Sequence, residues 1–413
     1  MHKYEDCLNI ISECLTSVSL DTETVGLEYA ANRVLATDIH ATEDHPRFDH
    51  SAMDGYLIHR SLLTQFRDGK NPILTISESL VAGEEIPEIK EELQAIEIMT
   101  GAKIPSDAFW AVIRLENTTT IEQNADAKRI CLNSIPNDGE NIRRQGEDIK
   151  LGQLLLPRGT KIEFHHLMVL ANMGIDQVEV LRKVQLAIVS TGKELVSYAT
   201  KNLNETQIRN ATGIYLEAYL RGQGHDVKNL GIVRDDPTLY RNLLLNAFDS
   251  GQDLLISTGA VSMGKYDFVK ETLLGLGAQI HFHKCSIHPG KPILFASLNY
   301  RGRERFIFGI PGNLAASAVG LRFFLIPFLN QLTYCKSPEP VYAELLHDVK
   351  VSLGFRSFFC AELSQSDGVW KVSAPKRRSA ASLSQFLKTN AWAVFSGNEE
   401  FVPKGQKVEV FRL

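Results

Sequence analysis

Six carboxylates of this chain share one setting. Asp54 lies in SAMDGY, Glu147 and Asp148 in RRQGED, Glu194 in STGKEL, Asp236 in RDDP and Asp267 in GKYDFVK, each in a predicted loop. Carboxylates among loops that also suit anions point to Mg2+, a hard cation that takes a few oxygen ligands and bridges to phosphate. The plainer reading is that Asp and Glu are ordinary at turns and helix starts, and Asp236, just before Pro237, is the plainest cap. Lys291, in the turn His288-Pro289-Gly290-Lys291-Pro292, is either a contact for an oxyanion or a solvated turn lysine.

Such side chains act only where the fold presents them. Over residues 184–330 the runs VQLAIVST, DVKNLGIV, DLLIST, IHFHKC, PILFAS and RFIFGI read as strands. Helices are predicted after Asn210, from Asp236-Pro237, over DFVKETLLGLG, and from Asn313 to about Leu329. This alternation predicts a mostly parallel, doubly wound sheet. Its glycine-rich and polar loops fall at the carboxyl ends of strands: Ser190-Thr191-Gly192-Lys193-Glu194, Arg234 to Asp236, Ser257 to Gly264, and Pro311-Gly312-Asn313. Ligands of open α/β sheets bind there, so the loops predict a crevice for a phosphate-bearing molecule. Two patterns compete. Gly259 to Lys265 fits GxxxxGK, but Tyr266 stands where a P-loop needs Ser or Thr. His281, His283 and Cys285 alternate along one strand, where zinc would accept them; a half-buried strand is the plainer reading, since no fourth ligand has suitable spacing.

The rest of the chain supplies framework. Residues 3–18 read as an amphipathic helix, and 163–173 as a helix ending on Gly174. Residues 57–145 read as strands broken by turns, and 338–413 as a separate small β sandwich or barrel. Lysine and arginine total 44 against 49 acids, a net charge of −5, which argues against a protein that coats nucleic acid. No run approaches the length of a membrane span, and the first residues lack the apolar core of a secretory signal. Six cysteines without a CxxC pair make no disulfide framework, so a reduced cytoplasm is expected.

Taken in order, the motifs resemble the MoeA-type molybdopterin molybdenumtransferases, the family of the gephyrin E domain. The matching segments are SAMDGY (51–56), IMTGAKIP (98–105), NIRRQGEDI (141–149), LLLPRGT (154–160), STGKELV (190–196), QIRNATG (207–213), DDP (235–237), LLISTGAVSMGKYDFVK (254–270), HPGKPI (288–293) and IPGN (310–313). The resemblance implies a multidomain α/β plus β chain in four parts. These are a discontinuous linker domain (1–45 and 146–178), a β-rich insertion (46–145), an α/β molybdopterin-binding domain (179–332) and a C-terminal β domain (333–413). It implies a homodimer. The implied reaction inserts molybdate into adenylylated molybdopterin with release of AMP. Mg2+ is the implied cofactor, a molybdopterin adenylyltransferase the donor, and molybdoenzymes or cofactor carriers the recipients.

Carried over by motif, Asp54, Thr100, Asp148, Glu194, Asp236, Asp267 and Lys291 form the catalytic set, with Asp54, Glu194 and Asp267 on the metal. Ser190, Thr191, Gly192, Gly259, Ser262, Gly264, His288, Pro289, Gly290, Gly312 and Asn313 line the substrate. Departures from the family pattern gather on the oxyanion. His288 replaces the first lysine of Lys-Pro-Gly-Lys, Ala316 replaces a serine, and Cys360 stands in the place of an arginine. Asn210-Ala211-Thr212, Ala260 and Ser379-Ala380-Ala381 are further departures, and Lys376-Arg377-Arg378 is a basic run that could supply replacement donors. A divergent paralogue that binds molybdopterin without efficient molybdate insertion is the alternative these departures raise.

Overall fold

The computed structural model describes residues 1–62, 73–76, 78–84, 95–105, 107–123, 128–259, 268–375 and 383–413. The chain forms two compact units: Met1–Ala36, Gly159–Phe164 and Gln177–Leu413 in one, Thr37–Arg158 and His165–Asp176 in the other.

In the first unit, six strands make one sheet: β1 (Gln185–Thr191), β2 (Asp226–Val233), β3 (Leu254–Thr258), β4 (Gln279–His283), β5 (Leu294–Tyr300) and β6 (Arg303–Ile310), in the order β2-β1-β3-β6-β5-β4. The pairings β2–β1, β1–β3 and β3–β6 are parallel, while β6–β5 and β5–β4 are antiparallel. Alternate residues of β1 enter different cores. Leu186 and Ile188 pack with Leu216, Leu220, Phe308 and Phe328, whereas Ala187 and Val189 pack with Tyr240, Leu244, Phe248 and Leu273. Both faces are therefore covered by helices, which is why these strands read as continuous apolar runs. The sheet is doubly wound and mostly parallel, as the sequence predicts.

Side-chain caps set the helix starts. The Asn210 side chain accepts from the Gly213 N–H, and the Asp236 side chain from those of Thr238 and Leu239. The apolar run Leu314–Leu332 is long and apolar enough to cross a membrane, but 72% of it is buried inside this unit, so it serves as a core helix. A π turn over Leu321–Leu325 interrupts it.

Five later strands close into a barrel: β7 (Val341–Leu345), β8 (Arg356–Ser366), β9 (Val369–Ser373), β10 (Ala391–Phe395) and β11 (Lys407–Arg412). They follow the order β8-β9-β7-β11-β10, and β10 returns to β8. One short strand, Ile287–His288, adds to β8 in parallel, opposite Arg356 and Ser357. The turn that carries Lys291 thus grows directly from the barrel sheet.

The second unit holds a four-stranded sheet in the order Ser79–Leu80, Ala95–Ile98, Gly55–His59, Phe109–Arg114. It also holds a three-stranded sheet in the order Ile73–Ile76, Lys128–Leu132, Thr118–Gln123. The strand Gly55–His59 begins two residues before the region read as strands from 57. A Cβ at Gly55 would run into the Ile113 carbonyl, so the strands approach there as only glycine allows. The strand-like runs read in this region are PILTISESLVAG, AIEIMTG, AVIRLE and RICLNSIP. Thr118–Gln123 is a strand outside them, and its residues are exposed or half-buried, so no apolar alternation marks it.

Candidate functional site

Within the sheet, four strand ends are level. Thr191 pairs with Val233, Ser190 with Thr258, and Thr258 with Ile310. Their loops are tied across the top. Gly192 N–H donates to the Val233 carbonyl at 3.0 Å, and Gly259 N–H to the Ile310 carbonyl at 3.0 Å. The Thr191 hydroxyl donates to the Thr258 carbonyl at 3.1 Å, and that of Thr258 to the Ser190 Oγ at 3.0 Å. Ser190, Thr191 and Thr258 are all buried, so their hydroxyls brace the rim of the sheet. Gly259 has φ +84°, and a Cβ there would strike the Thr191 carbonyl. Gly312 stacks directly above it, its Cβ position 3.5 Å from the Gly259 Cα. Glycine is required at 259, while a Cβ at 312 would make ordinary contact with the Gly259 backbone.

Around this rim, Glu194 is exposed and its carboxylate oxygens stand 2.8 and 2.9 Å from where a Cβ of Gly192 would be. Asp236 is exposed and accepts two backbone N–H groups, at 2.9 Å each, through one oxygen. Asn313 accepts from Ala315 N–H at 3.1 Å. His288 and Pro289 are joined by a cis peptide bond, and Gly290 follows at φ +107° with its Cβ position 3.7 Å from the Ala316 carbonyl oxygen. The Lys291 Nζ is exposed and lies 5.7 Å from the centre of the Phe355 ring. Ser262, Gly264 and Asp267, with Ala260 and the rest of the GxxxxGK run, lie outside the described residues, as does the basic run 376–378.

The departures gain physical content here. Ala316 is buried and has no side-chain donor. Its neighbour Ser317 is fully buried and donates its hydroxyl to the Pro311 carbonyl at 2.5 Å, so that hydroxyl is committed inside the fold. Cys360 packs in the core with Phe358, Phe323 and Trp392, and burial pushes its thiol up to about 11.

In the second unit the motif segments form one antiparallel clasp, with Ser51 opposite Ile142 and His50 opposite Arg143. Asp54 is exposed, and its Oδ1 accepts from Thr100 N–H at 2.7 Å and Thr100 Oγ1–H at 2.9 Å. These two bonds hold its carboxyl below the usual range. Asp148 is exposed, with its N–H donated to the His45 carbonyl at 3.1 Å. Glu147, by contrast, accepts from Arg143 Nε at 2.5 Å and Arg144 N–H at 2.8 Å. Its carboxyl is lowered by those bonds and it braces its own turn. Two acids that the motif reading passed over do similar work. Asp44 accepts from Leu151 N–H at 2.9 Å and Gln145 Nε2–H at 3.0 Å. Asp49 accepts from Gln145 N–H at 2.7 Å and Arg144 Nη1–H at 2.6 Å. The available signal was charge: both acids precede SAMDGY, and their partners lie in or beside RRQGED.

Asp54, Thr100 and Asp148 belong to one compact unit, and Glu194, Asp236 and Lys291 to the other. No three His, Cys, Asp or Glu side chains among the described residues gather as a ready metal site. His281 contacts Cys14 Sγ at 3.4 Å and Ser297 Oγ at 2.9 Å, while Cys285 is fully buried in the core beside Cys7.

Comparison with known proteins agrees with this architecture. Residues 2–174 match the family described as "MoeA N-terminal region (domain I and II)", and residues 187–331 that described as "Probable molybdopterin binding domain". The chain is 31% identical to the molybdopterin molybdenumtransferase of Synechococcus elongatus over 99% of both chains. It is 31% identical to that of Haemophilus influenzae, covering 94% of this chain and 93% of the relative. The crystal structure of the molybdopterin biosynthesis MoeA protein from Pyrococcus horikoshii superposes with a TM-score of 0.81 at 26% identity, covering 100% of both. A doubly wound sheet with glycine-tied strand ends, matched over its length by a molybdopterin-binding family, defines the class of α/β domain. The chain belongs to the molybdopterin molybdenumtransferase family.

Proposed function

We propose that the chain inserts molybdate into adenylylated molybdopterin and releases AMP. The observation that carries this reading is the full-length likeness to molybdopterin molybdenumtransferases, with every motif segment in order. The strand-end loops would seat the phosphate-bearing substrate, with Gly259 and Gly312 allowing close approach of backbone. Lys291 would meet the charge of the incoming dianion. Asp54, set by Thr100, Asp148, Glu194 and Asp236 would orient the substrate, together with Asp267.

The exposed carboxylates of Asp54 and Glu194 fit Mg2+ chemically: they are hard oxygen donors, each with an oxygen to spare. In its own unit each is offered as an oxygen ligand for the ion, as is Asp267, and the ion when bound would offset charge on the phosphoanhydride. The same reading takes the chain as a cytoplasmic homodimer of the four domains given above. It is fed by a molybdopterin adenylyltransferase and serves molybdoenzymes or cofactor carriers.

The test is a defined turnover assay with adenylylated molybdopterin, Mg2+ and a molybdate titration, following AMP and metal-loaded cofactor. Saturable, molybdate-dependent AMP release is expected. Tight nucleotide binding with no such release would reassign the chain as a carrier.

A further inference from the structure

We propose that Asp49 is a positioning residue, whose carboxylate pegs the segment bearing Asp148 to the segment bearing Asp54. This rests on the function proposed above for those two acids. The ladder between the segments is short, running only through Ser51–Ile142 and His50–Arg143. Beyond it the chain bends away toward Gly146, at φ +69°. There the Asp49 carboxylate adds a side-chain tie to backbone bonds that run from Gly146 N–H to the Pro46 carbonyl and from Asp148 N–H to the His45 carbonyl. One oxygen receives the Gln145 N–H at 2.7 Å, and the other the Arg144 guanidinium at 2.6 Å. The main chain of Asp49 is fixed from the opposite side, its carbonyl accepting from Ile104 N–H at 2.9 Å, four residues after Thr100, which donates to Asp54.

A carboxylate is suited to this place because it accepts two bonds at once in a half-exposed setting, where a neutral acceptor would leave the guanidinium uncompensated. Burial raises the Asp49 carboxyl, but Gln145 N–H and Arg144 outweigh it and leave the group lowered, and so ionised at neutral pH. Nothing in this arrangement asks Asp49 to touch substrate.

The experiment compares Asp49→Asn, Arg144→Gln and their combination in the full-length protein. One arm is hydrogen exchange over residues 142–151; the other is molybdate-dependent AMP release. The expected result for Asp49→Asn is faster exchange at Gln145 and Gly146. Turnover should fall on the order of ten- to a hundred-fold, with the molybdate KM changed less than two-fold. The double variant should be no worse than the more damaging single, because both remove one shared interaction. Asp49→Glu, which keeps both acceptors, should recover most of the exchange protection. Unchanged exchange in Asp49→Asn overturns the proposal, as does turnover that falls only in step with the fraction of folded protein. If the wild-type chain itself shows no molybdate-dependent release, the proposed function falls, while the exchange arm still decides whether Asp49 pegs the clasp.

Discussion

The acid-bearing clasp of the second unit and the strand-end rim of the first spend their polar groups differently. In the clasp, Asp44, Asp49 and Glu147 are consumed as staples, so that Asp54 and Asp148 stand exposed on a backbone fixed from several sides. At the rim, Ser190, Thr191, Thr258 and Ser317 are also consumed, and among the described residues the exposed Glu194 and Asp236 are acids, with Lys291 the cation of the proposed oxyanion set. Lys291 there lies 5.7 Å from the Phe355 ring, while Ala316 brings no charge and Cys360 is packed in the core. A dianion leaving water needs cations or several donors to replace its hydration. The acid-bearing clasp of the second unit is therefore held from many sides, while the proposed oxyanion contacts of the first unit rest, among the described residues, on few groups.

The sharpest way to break this contrast is at its two centres. Asp54→Asn keeps the shape and the Thr100 contacts but removes the charge. Turnover should drop on the order of a hundred-fold, with the far-ultraviolet spectrum unchanged, as for loss of one preorganised electrostatic group. Lys291→Ala should raise the molybdate KM roughly ten-fold, the scale of one hydrogen bond to a charged group, and leave nucleotide affinity unaltered by calorimetry. His288→Lys, returning the cation that the family resemblance expects, should lower that KM. Were Lys291→Ala silent, the oxyanion would be held elsewhere and the contrast would dissolve.

Much of this was legible in the sequence because it is carried by local rules. Buried parallel strands write themselves as VQLAIVST and LLIST, and caps as Asn210 or Asp236-Pro237. Alternation in the last strands announced a small β sandwich or barrel, and the return of β10 to β8 makes it a barrel. What resisted reading depended on partners far along the chain. Nothing near Asp49 announces Arg144, 95 residues on, and nothing near Ser317 shows that its hydroxyl turns back to Pro311. Exposed Thr118–Gln123 lacked a face to bury, and the helix from Leu314 concealed its π turn within an unbroken apolar run. Adjacent acids such as Glu147 and Asp148 look alike as letters, and only hydrogen bonding separates a brace from an exposed carboxylate.

Smaller perturbations sharpen the comparison. Thr100→Val deletes the hydroxyl that donates to Asp54 and retains the backbone N–H. The Asp54 carboxyl is held low in the wild type, so losing a bond to its ionised form moves its pKa upward. Activity that requires ionised Asp54 should then fail at a higher pH, and the acid limb of kcat/KM should shift up. An unshifted limb would show that Asp54 is not the group titrating there.

The least effect is expected at Phe355, and it probes the thin side of the contrast. Its ring lies 5.7 Å from the Lys291 Nζ, and its residue precedes Arg356, which pairs with Ile287 in the strand leading to Lys291. An exposed cation–π contact contributes about 0.5–1 kcal/mol, or roughly two- to five-fold in an equilibrium. Phe355→Leu keeps apolar bulk and removes the quadrupole, so the molybdate KM should rise by that factor. Phe355→Trp, which retains an aromatic face, should hold the KM near wild type. If the ring merely shelters Lys291 from the ligand, Phe355→Leu would instead lower the KM, and the rim would prove better supplied with charge than its contacts suggest.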